Sequence, residues 1–334
     1  MIRAEMLRMG RGASRRLGDE LGRYVVTTMP EPWAAVGPGL GRGPEKIFFI
    51  DSMERTELDK LVAQVPAVDC VVGAGGGRSV DAAKYLSWKL GLPLVTIPTI
   101  ISVDAFVTPA IGIREQSRVR YVGDVSSSLL VVDFDIIRGA PRELNIAGIA
   151  DILSCHTGCF DWELSCRDGV TDHPLDPLRI AQARALVAQI ANHTGDFREM
   201  NERAVKTLVD AYLEEVEICL PVNHYRAEEG SEHFLAYCIE AVTRRPYLHG
   251  ALVGLGIDVM ASLQDNDHDW VVGVMDEAGL PRTPRYLGLD RESLRQALER
   301  LPRYVREENL WYSVIDSVGV PSGFIEETLA RLEF

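Results

Sequence analysis

The chain has 334 residues, of which 46% are hydrophobic and 25% charged, a composition typical of a globular protein large enough for two domains. Its formal net charge of -14 argues against nucleic acid as a partner, because nucleic-acid binding needs a basic surface. The sequence has neither a recognisable signal peptide nor an apolar run long enough to span a bilayer, which predicts a cytoplasmic protein without a membrane partner.

The first part of the chain alternates short β-branched segments with amphipathic segments. The pattern predicts helices at 53–65 and 79–91. It predicts strands at 23–30, 46–52, 68–77, 93–99 and 127–137. Strands that alternate with helices form parallel sheets covered by those helices. We therefore predict an α/β domain with a parallel, Rossmann-like sheet over residues 1–147.

Strand patterns almost disappear after about Gly148, where helical periodicity takes over. The segments with this periodicity are 151–165, 177–194, 201–220, 231–242, 291–301 and 324–334. We therefore predict an all-α domain over residues 148–334.

A run of three glycines, Gly75 to Gly77, ends a buried strand just before a helix that begins near Ser79. Glycines let backbone N–H groups approach a ligand, and the helix N-terminus adds positive charge, so the pattern is typical of a phosphate cradle. The spacing matches neither the G-x-G-x-x-G fingerprint nor a Walker A loop. A tight turn without a ligand is the alternative. Asp81 and Lys84 either form a solvated pair or line the cofactor site.

Four sequence blocks together resemble the metal-dependent polyol dehydrogenases. They are "GAGGGRSVDAAK" at 73–84, "PTIISVDAFVTP" at 98–109, "IAGIADILS…FDWELS" at 146–165 and "EGSEHFLAYCIE…LHGALVGLGI" at 229–257. This superfamily includes iron-containing alcohol dehydrogenases, glycerol dehydrogenases, glycerol-1-phosphate dehydrogenases and, more distantly, 3-dehydroquinate synthases. The resemblance covers roughly residues 20–260 and implies a dehydroquinate synthase-like fold.

The resemblance implies a metal site, because Asp151, His233 and His249 match the three metal ligands of the family. A carboxylate and two imidazoles suit Zn²⁺, with Fe²⁺ as an alternative, and three protein ligands leave a coordination position open for catalysis. From the residues alone, two ordinary core histidines remain an open alternative.

The resemblance also implies an NAD(P)H oxidoreductase that interconverts a small ketone and its secondary alcohol, with dihydroxyacetone phosphate and sn-glycerol 1-phosphate as the first pair. Asp104 matches the aspartate that approaches the substrate hydroxyls, which makes it the catalytic and substrate-binding candidate; a turn cap is the alternative. Arg226 is the candidate partner for a substrate phosphate. Self-association is common in the family, so a homo-oligomer is expected.

The resemblance assigns the binding of NAD or NADP to two stretches of the first domain. The residues concerned are Gly75, Gly76, Gly77, Ser79, Asp81, Thr99, Ser102 and Thr108. For Thr99, Ser102 and Thr108, ordinary caps and loop hydrogen bonds are the alternative. No acidic residue directly follows the segment YVVTT at 24–28, so a ribose 2′-phosphate would be tolerated. Residues 27–46 are rich in Pro and Gly where relatives have a helix, which predicts a shortened segment.

Three residues depart from the family pattern near the expected substrate site. Glu228 and Glu229 would repel a phosphate if they faced it, and solvent exposure at a helix start is the alternative expectation. Cys155 stands where phosphate-using relatives tend to have lysine. On one interpretation the thiolate of Cys155 is a further ligand of the metal. On the other, Cys155 is a small packing residue on a buried helix.

Two other functions fit parts of the pattern. The first is a sugar-phosphate cyclase resembling 3-dehydroquinate synthase, but those enzymes tend to have Glu where Asp151 stands and a lysine soon after it. The second is a non-catalytic nucleotide-binding relative, which would have no need for Asp151, His233 and His249 together.

Overall fold

The computed structural model describes residues 6–116, 118–170 and 173–334. The chain divides into two compact units, one that ends at Asn145 and one that runs from Ile146 to Phe334. The division falls inside a helix, Arg142–Ala147.

The first unit contains a six-stranded sheet and a separate two-stranded hairpin. In chain order the strands are β1 (Leu7–Gly10), β2 (Tyr24–Thr28), β3 (Lys46–Phe49), β4 (Cys70–Gly75), β5 (Leu94–Pro98), β6 (Ala110–Glu115), β7 (Arg118–Asp124) and β8 (Leu129–Asp133). The large sheet has the order β1-β8-β5-β4-β2-β3, and every neighbouring pair is parallel. The predicted parallel sheet is therefore confirmed.

Helices cover this sheet on both faces, because side chains of a strand alternate between its two sides. On β4, Val71 packs in a cluster with Tyr85 and Leu86, whereas Val72 packs in a second cluster with Val36. The helices of the first unit are α1 (Pro30–Val36), α2 (Arg55–Val62), α3 (Gly77–Leu90) and α4 (Phe134–Gly139), and α5 (Arg142–Ala147) contains the division. Strand β4 and helix α3 meet at the glycine run.

Several elements of the first unit differ from the sequence-based expectation. The strand predicted at 127–137 ends at Asp133, because helix α4 begins at Phe134. The strand predicted to reach Pro30 ends at Thr28, because Pro30 begins helix α1, where its fixed φ is favourable. The Pro- and Gly-rich segment thus keeps a short helix. Strand β1 and the β6–β7 hairpin were not predicted. The hairpin is antiparallel and its turn places Gln116 at a φ of 53°.

The second unit is helical, as predicted; in the part of the chain that the structure describes, no strand follows β8. Its helices are α6 (Ile149–Leu153), α7 (Cys155–Arg167), α8 (Pro177–Ala191), α9 (Thr194–Glu199), α10 (Glu202–Cys219), α11 (Ser231–Thr243), α12 (His249–Gln264), α13 (His268–Ala278), α14 (Pro284–Leu287), α15 (Arg291–Glu307), α16 (Val314–Val318) and α17 (Ser322–Arg331). Side chains of Asp176, Asn201 and Asp290 cap α8, α10 and α15 by accepting hydrogen bonds from first-turn N–H groups. Within the described ranges, none of the helices has the length and apolarity to cross a membrane.

Candidate active site

Asp151, His233 and His249 converge inside the second unit. Asp151 lies in the short helix α6, His233 in the first turn of α11, and His249 is the first residue of α12. Helices α11 and α12 approach closely at Gly256, where an added Cβ would lie 2.3 Å from the carbonyl oxygen of Glu232. This close approach brings the two histidine-bearing helices together, and their ring centroids are 5.4 Å apart.

The ligand atoms of these three side chains fit one metal ion. All lie within 4.8 Å of one another, and Nε2 of His249 is 3.4 Å from Oδ1 of Asp151. Donors about 2.0–2.1 Å from a tetrahedral Zn²⁺ are roughly 3.4 Å apart, so this separation needs little adjustment. Two imidazoles and one carboxylate also match the donor set of catalytic zinc sites.

The pKa values of His233 and His249 are shifted in opposite directions. Burial opposes protonation of His233, but the hydrogen bond and charge of Glu232 outweigh it and raise the pKa of His233 to about 9. Desolvation and the neighbouring charge of His233 lower the pKa of His249, although 37% of its side chain is exposed. His249 is therefore neutral at neutral pH, with a lone pair available to a cation.

Two buried carboxylates stand behind the histidines. Glu232 is fully buried, and its Oε1 lies 2.9 Å from Nδ1 of His233. Asp161 on α7 accepts hydrogen bonds from the N–H of Ser231 and the N–H of Val314, both at 2.8 Å. Asp161 thus ties α7 to the starts of α11 and α16. Burial and the charge of Glu232 raise the pKa of Asp161 to about 7.

The raised pKa of Asp161 predicts a pH-dependent contribution to the stability of the fold. An unfolded aspartate has a pKa of about 4, so the folded protein holds this proton more tightly. The contribution is complete below about pH 4 and is lost as the pH rises through about 7. We expect the Asp161→Asn variant to lose stability overall. Its deficit relative to wild type should shrink with rising pH, by on the order of 1 kcal/mol per pH unit. Urea unfolding from pH 4 to 8 measures this, and a constant deficit would contradict it.

The glycine run forms the turn from β4 to α3. Gly75 has a φ of +153°, and an added Cβ would lie 2.4 Å from Oγ and 2.7 Å from Cβ of Ser79, so only glycine fits without a shift. Gly77 and Arg78 are in the first turn of α3, where N–H groups have no earlier carbonyl in the helix to bond. The turn therefore presents donors suited to a phosphate.

The predicted cofactor residue Ser79 lies under this turn. Its side chain is fully buried, and its Oγ has no hydrogen-bond partner among the described residues. Thr27 and Thr28 of β2 hold the turn from below, because their hydroxyls donate at 2.7 Å to the carbonyls of Ser79 and Ala74. These two threonines were not predicted as site residues, although a Thr-Thr pair ending a buried strand is visible in the sequence.

The loop after β5 lies beside the glycine run in the first unit. The N–H of Thr99 donates to the carbonyl of Gly75 at 3.1 Å, and an added Cβ on Gly77 would lie 3.1 Å from Val103. Asp104 is half-buried at the start of a 3-10 turn, Asp104–Phe106, and its carbonyl accepts from the N–H of Thr108 at 3.2 Å. The structure thus gathers most of the predicted cofactor residues, and Asp104, at the carboxyl ends of β4 and β5.

Asn145 contacts the loop after β5 that carries Ser102. Asn145 is fully buried; it accepts from the N–H of Ile101 at 3.0 Å and donates to the carbonyl of Ile137 at 2.8 Å. It therefore anchors the loop that carries the predicted cofactor residue Ser102, which is itself buried. No local pattern in the sequence distinguishes Asn145 from a surface asparagine.

The Asp81–Lys84 pair is not solvated, which corrects one of its two sequence-based interpretations. Lys84 is 1% exposed, and its Nζ bonds Oδ1 of Asp81 at 2.9 Å and the carbonyl of Ala110 at 2.8 Å. Burial raises the pKa of Asp81, with the charge of Lys84 and the N–H of Gly112 opposing. The pair fastens α3 to the β6–β7 hairpin, and its contact with a cofactor stays a prediction.

Arg226, the predicted phosphate partner, is buried. Its Nη2 donates to the carbonyl of Asp161 at 3.2 Å and to that of Tyr312 at 2.7 Å, and its guanidinium lies 5.9 Å from the ring of Trp311. These contacts link α7 to the segment before α16. Its role toward a substrate remains a prediction.

The expected solvent exposure of Glu228 and Glu229 is wrong. Both are half-buried. Glu228 accepts from the thiol of Cys219 at 3.6 Å, and Glu229 accepts from the hydroxyl of Tyr237 at 2.8 Å. Burial raises the pKa of Glu229, which lies close enough to His233 for the histidine charge to oppose that shift. An acidic side chain therefore stands near the histidine cluster.

Cys155 supports the packing interpretation. It is 1% exposed, and its thiol donates to Oε1 of Glu215 at 3.7 Å. Burial and the charge of Glu215 raise its pKa well above the usual range, which disfavours the thiolate that a metal would need. Among the described residues, the group that could hold a metal consists of Asp151, His233 and His249 without a cysteine.

Comparisons with known proteins agree with this arrangement. A family model described as iron-containing alcohol dehydrogenase matches residues 46–141. The NAD(P)+-linked glycerol-1-phosphate dehydrogenase of Hyperthermus butylicus is 30% identical over 282 residues, or 82% of this chain and 77% of the relative. The Aeropyrum pernix enzyme of the same name is 29% identical over 292 residues, or 86% of this chain and 80% of that relative.

Among solved structures, glycerol dehydrogenase from Schizosaccharomyces pombe has a similar fold. It aligns with a TM-score of 0.69 and 20% identity, and the match covers 97% of this chain and 90% of that structure. At this identity the similarity establishes the fold alone.

Proposed function

Because the chain belongs to the iron-containing alcohol dehydrogenase family, we propose that it is a metal-dependent NAD(P)H oxidoreductase that interconverts a small ketone and its secondary alcohol. The observation that carries this proposal is the group of Asp151, His233 and His249, whose ligand atoms lie within 4.8 Å of one another. Packing alone gives no reason to gather a carboxylate and two imidazoles in this way.

A bound divalent ion would polarise the reacting oxygen, and a bound nicotinamide would carry the hydride. The protein residues bind and orient the metal ion, the cofactor and the substrate. Asp151 contributes negative charge, and the neutral ring of His249 offers a lone pair. Asp104 is the residue proposed to accept a hydrogen bond from a substrate hydroxyl, since it is half-buried in a turn fixed by two backbone hydrogen bonds to its carbonyl.

The glycine turn is proposed to hold the cofactor phosphates. Gly75 permits the turn, and Gly77 and Arg78 supply first-turn N–H groups. Either NAD or NADP is compatible with β2, because Met29 and Pro30 rather than an acidic residue follow Thr28.

Dihydroxyacetone phosphate and sn-glycerol 1-phosphate are the first substrate pair to test, because two relatives are named glycerol-1-phosphate dehydrogenases. The half-buried Glu229 beside His233 is the feature that would oppose a phosphate there. A neutral ketone or one that carries an amine is the alternative that this carboxylate favours.

The test follows NADH and NADPH absorbance with zinc-loaded protein and three three-carbon ketones: dihydroxyacetone phosphate, dihydroxyacetone and an amino analogue. We expect rapid oxidation with at least one ketone, with kcat/KM highest for dihydroxyacetone phosphate. The same panel is measured with the Glu229→Gln variant, which removes the charge of the side chain and keeps its shape. If Glu229 faces the substrate, this variant should raise kcat/KM for the phosphate and lower it for the amine. Absence of net cofactor oxidation with every ketone would contradict the proposed class.

A further inference from the structure

Glu232 contacts both the backbone before helix α11 and the ring of His233. It lies in the first turn of α11, and its side chain is fully buried. Its Oε1 accepts from the N–H of Gly230 at 2.6 Å and lies 2.9 Å from Nδ1 of His233. An ionised carboxylate has no proton to donate, so the proton of this contact belongs to Nδ1. In the neutral ring that a metal ion binds, the lone pair is then on Nε2.

From this geometry we propose that Glu232 is a positioning residue, which fixes the ring orientation and tautomer of His233 so that Nε2 is the metal-binding atom. The inference rests on the proposed metal site of Asp151, His233 and His249. A carboxylate behind a ligating imidazole fixes the tautomer and increases the basicity of the ligand.

A purely structural role for Glu232 is disfavoured by its surroundings. Its Oε2 has no hydrogen-bond partner among the described residues. An added Cβ on Gly230 would lie 3.0 Å from this atom and 2.8 Å from Oδ2 of Asp161, so a second buried carboxylate is close by. Two neighbouring carboxylates away from water destabilise a fold. An uncharged glutamine could still accept the bond from Gly230, so capping alone gives no reason for the charge.

The two roles predict different consequences for the Glu232→Gln variant. If Glu232 only supports the fold, the metal-free variant loses stability and its metal affinity follows that loss. If Glu232 positions His233, the affinity of the variant for Zn²⁺ falls about 10- to 100-fold, in excess of any change in the unfolding free energy of the metal-free protein.

The experiment measures Zn²⁺ affinity by competition with a chromophoric chelator, and thermal unfolding of the metal-free full-length protein. Glu163→Gln is the matched control, since it removes a carboxylate of the second unit that is 38% exposed and accepts its hydrogen bond from Arg184 at 2.7 Å rather than from a histidine ring. We expect the control to change zinc affinity by less than about threefold, because a solvent-exposed charge interacts weakly in high dielectric. Wild-type zinc affinity in Glu232→Gln would overturn the inference and leave the metal site intact. Failure of wild-type protein to bind zinc would instead overturn the metal site itself.

A second measurement needs no variant and covers the case in which Glu232→Gln does not fold. Nitrogen-15 NMR of the zinc-loaded wild-type protein distinguishes the protonated from the metal-bound ring nitrogen of His233. The inference expects the proton on Nδ1 and the metal on Nε2. Metal on Nδ1 would overturn it.

Discussion

The His249→Ala variant is expected to lose zinc binding and about 10³-fold in kcat/KM while it remains folded. A metal ion supplies several kcal/mol of transition-state stabilisation, and each 1.4 kcal/mol corresponds to about tenfold in rate. His249 is the first residue of α12 and its side chain is 37% exposed, so its removal leaves little cavity. Zinc content after gel filtration, steady-state kinetics and far-UV circular dichroism measure the three parts of the expectation.

His193→Ala is the matched control for this substitution. His193 also belongs to the second unit, but its Nδ1 bonds the carbonyl of Gln189 at 2.8 Å, a local contact in the chain. The control should keep zinc and activity. Full activity in His249→Ala would remove this residue from the proposed metal site.

The Gly75→Ala variant is expected to lose cofactor binding and much of its stability. The new methyl group would lie 2.4 Å from Oγ of Ser79, and the φ of +153° is one that alanine rarely adopts. Overpacking costs about 1–3 kcal/mol. The backbone strain costs about 1–3 kcal/mol more. A turn that moves to relieve the clash would no longer align its N–H groups with the cofactor phosphates. We therefore expect a loss of about 10²-fold in NADH affinity.

Gly139→Ala tests whether that loss is specific to the glycine turn. Gly139 ends helix α4 in the same unit, and an added Cβ there would meet nothing within 4 Å. NADH fluorescence titration and urea unfolding should show wild-type behaviour for Gly139→Ala. Equal NADH affinity in Gly75→Ala and wild type would show that this turn does not hold the cofactor.

The regular parts of the fold follow from local sequence patterns. The β4–α3 unit was predictable because a buried β-branched run leads into glycines and then into an amphipathic helix. Strand β1 gave no such signal, since its sequence LRMG is short and half-buried at the sheet edge. The β6–β7 hairpin stands outside the large sheet, and β7 has mostly exposed positions, so neither hydrophobic run nor alternation marked it.

The candidate site was less accessible from sequence, because its members meet only through tertiary contacts. His233 and His249 are brought together by the packing of α11 on α12, and the resemblance to a family was needed to single them out. Exposure was misjudged for the same reason. The hairpin covers Lys84, and the hydroxyl of Tyr237, eight residues further along the chain, donates to Glu229. Glu232 was overlooked because a glutamate in a first helical turn is ordinarily explained by the helix dipole.

One measurement tests the proposed metal dependence most directly: the titration of chelator-treated, metal-free protein with Zn²⁺ while NAD(P)H oxidation is followed with the best ketone of the panel. A single catalytic metal site predicts negligible turnover without metal, a linear rise to one equivalent of zinc per chain and a plateau beyond it. Full turnover by the metal-free protein, or no turnover at any zinc concentration, would contradict a single metal site at Asp151, His233 and His249 as the centre of the activity.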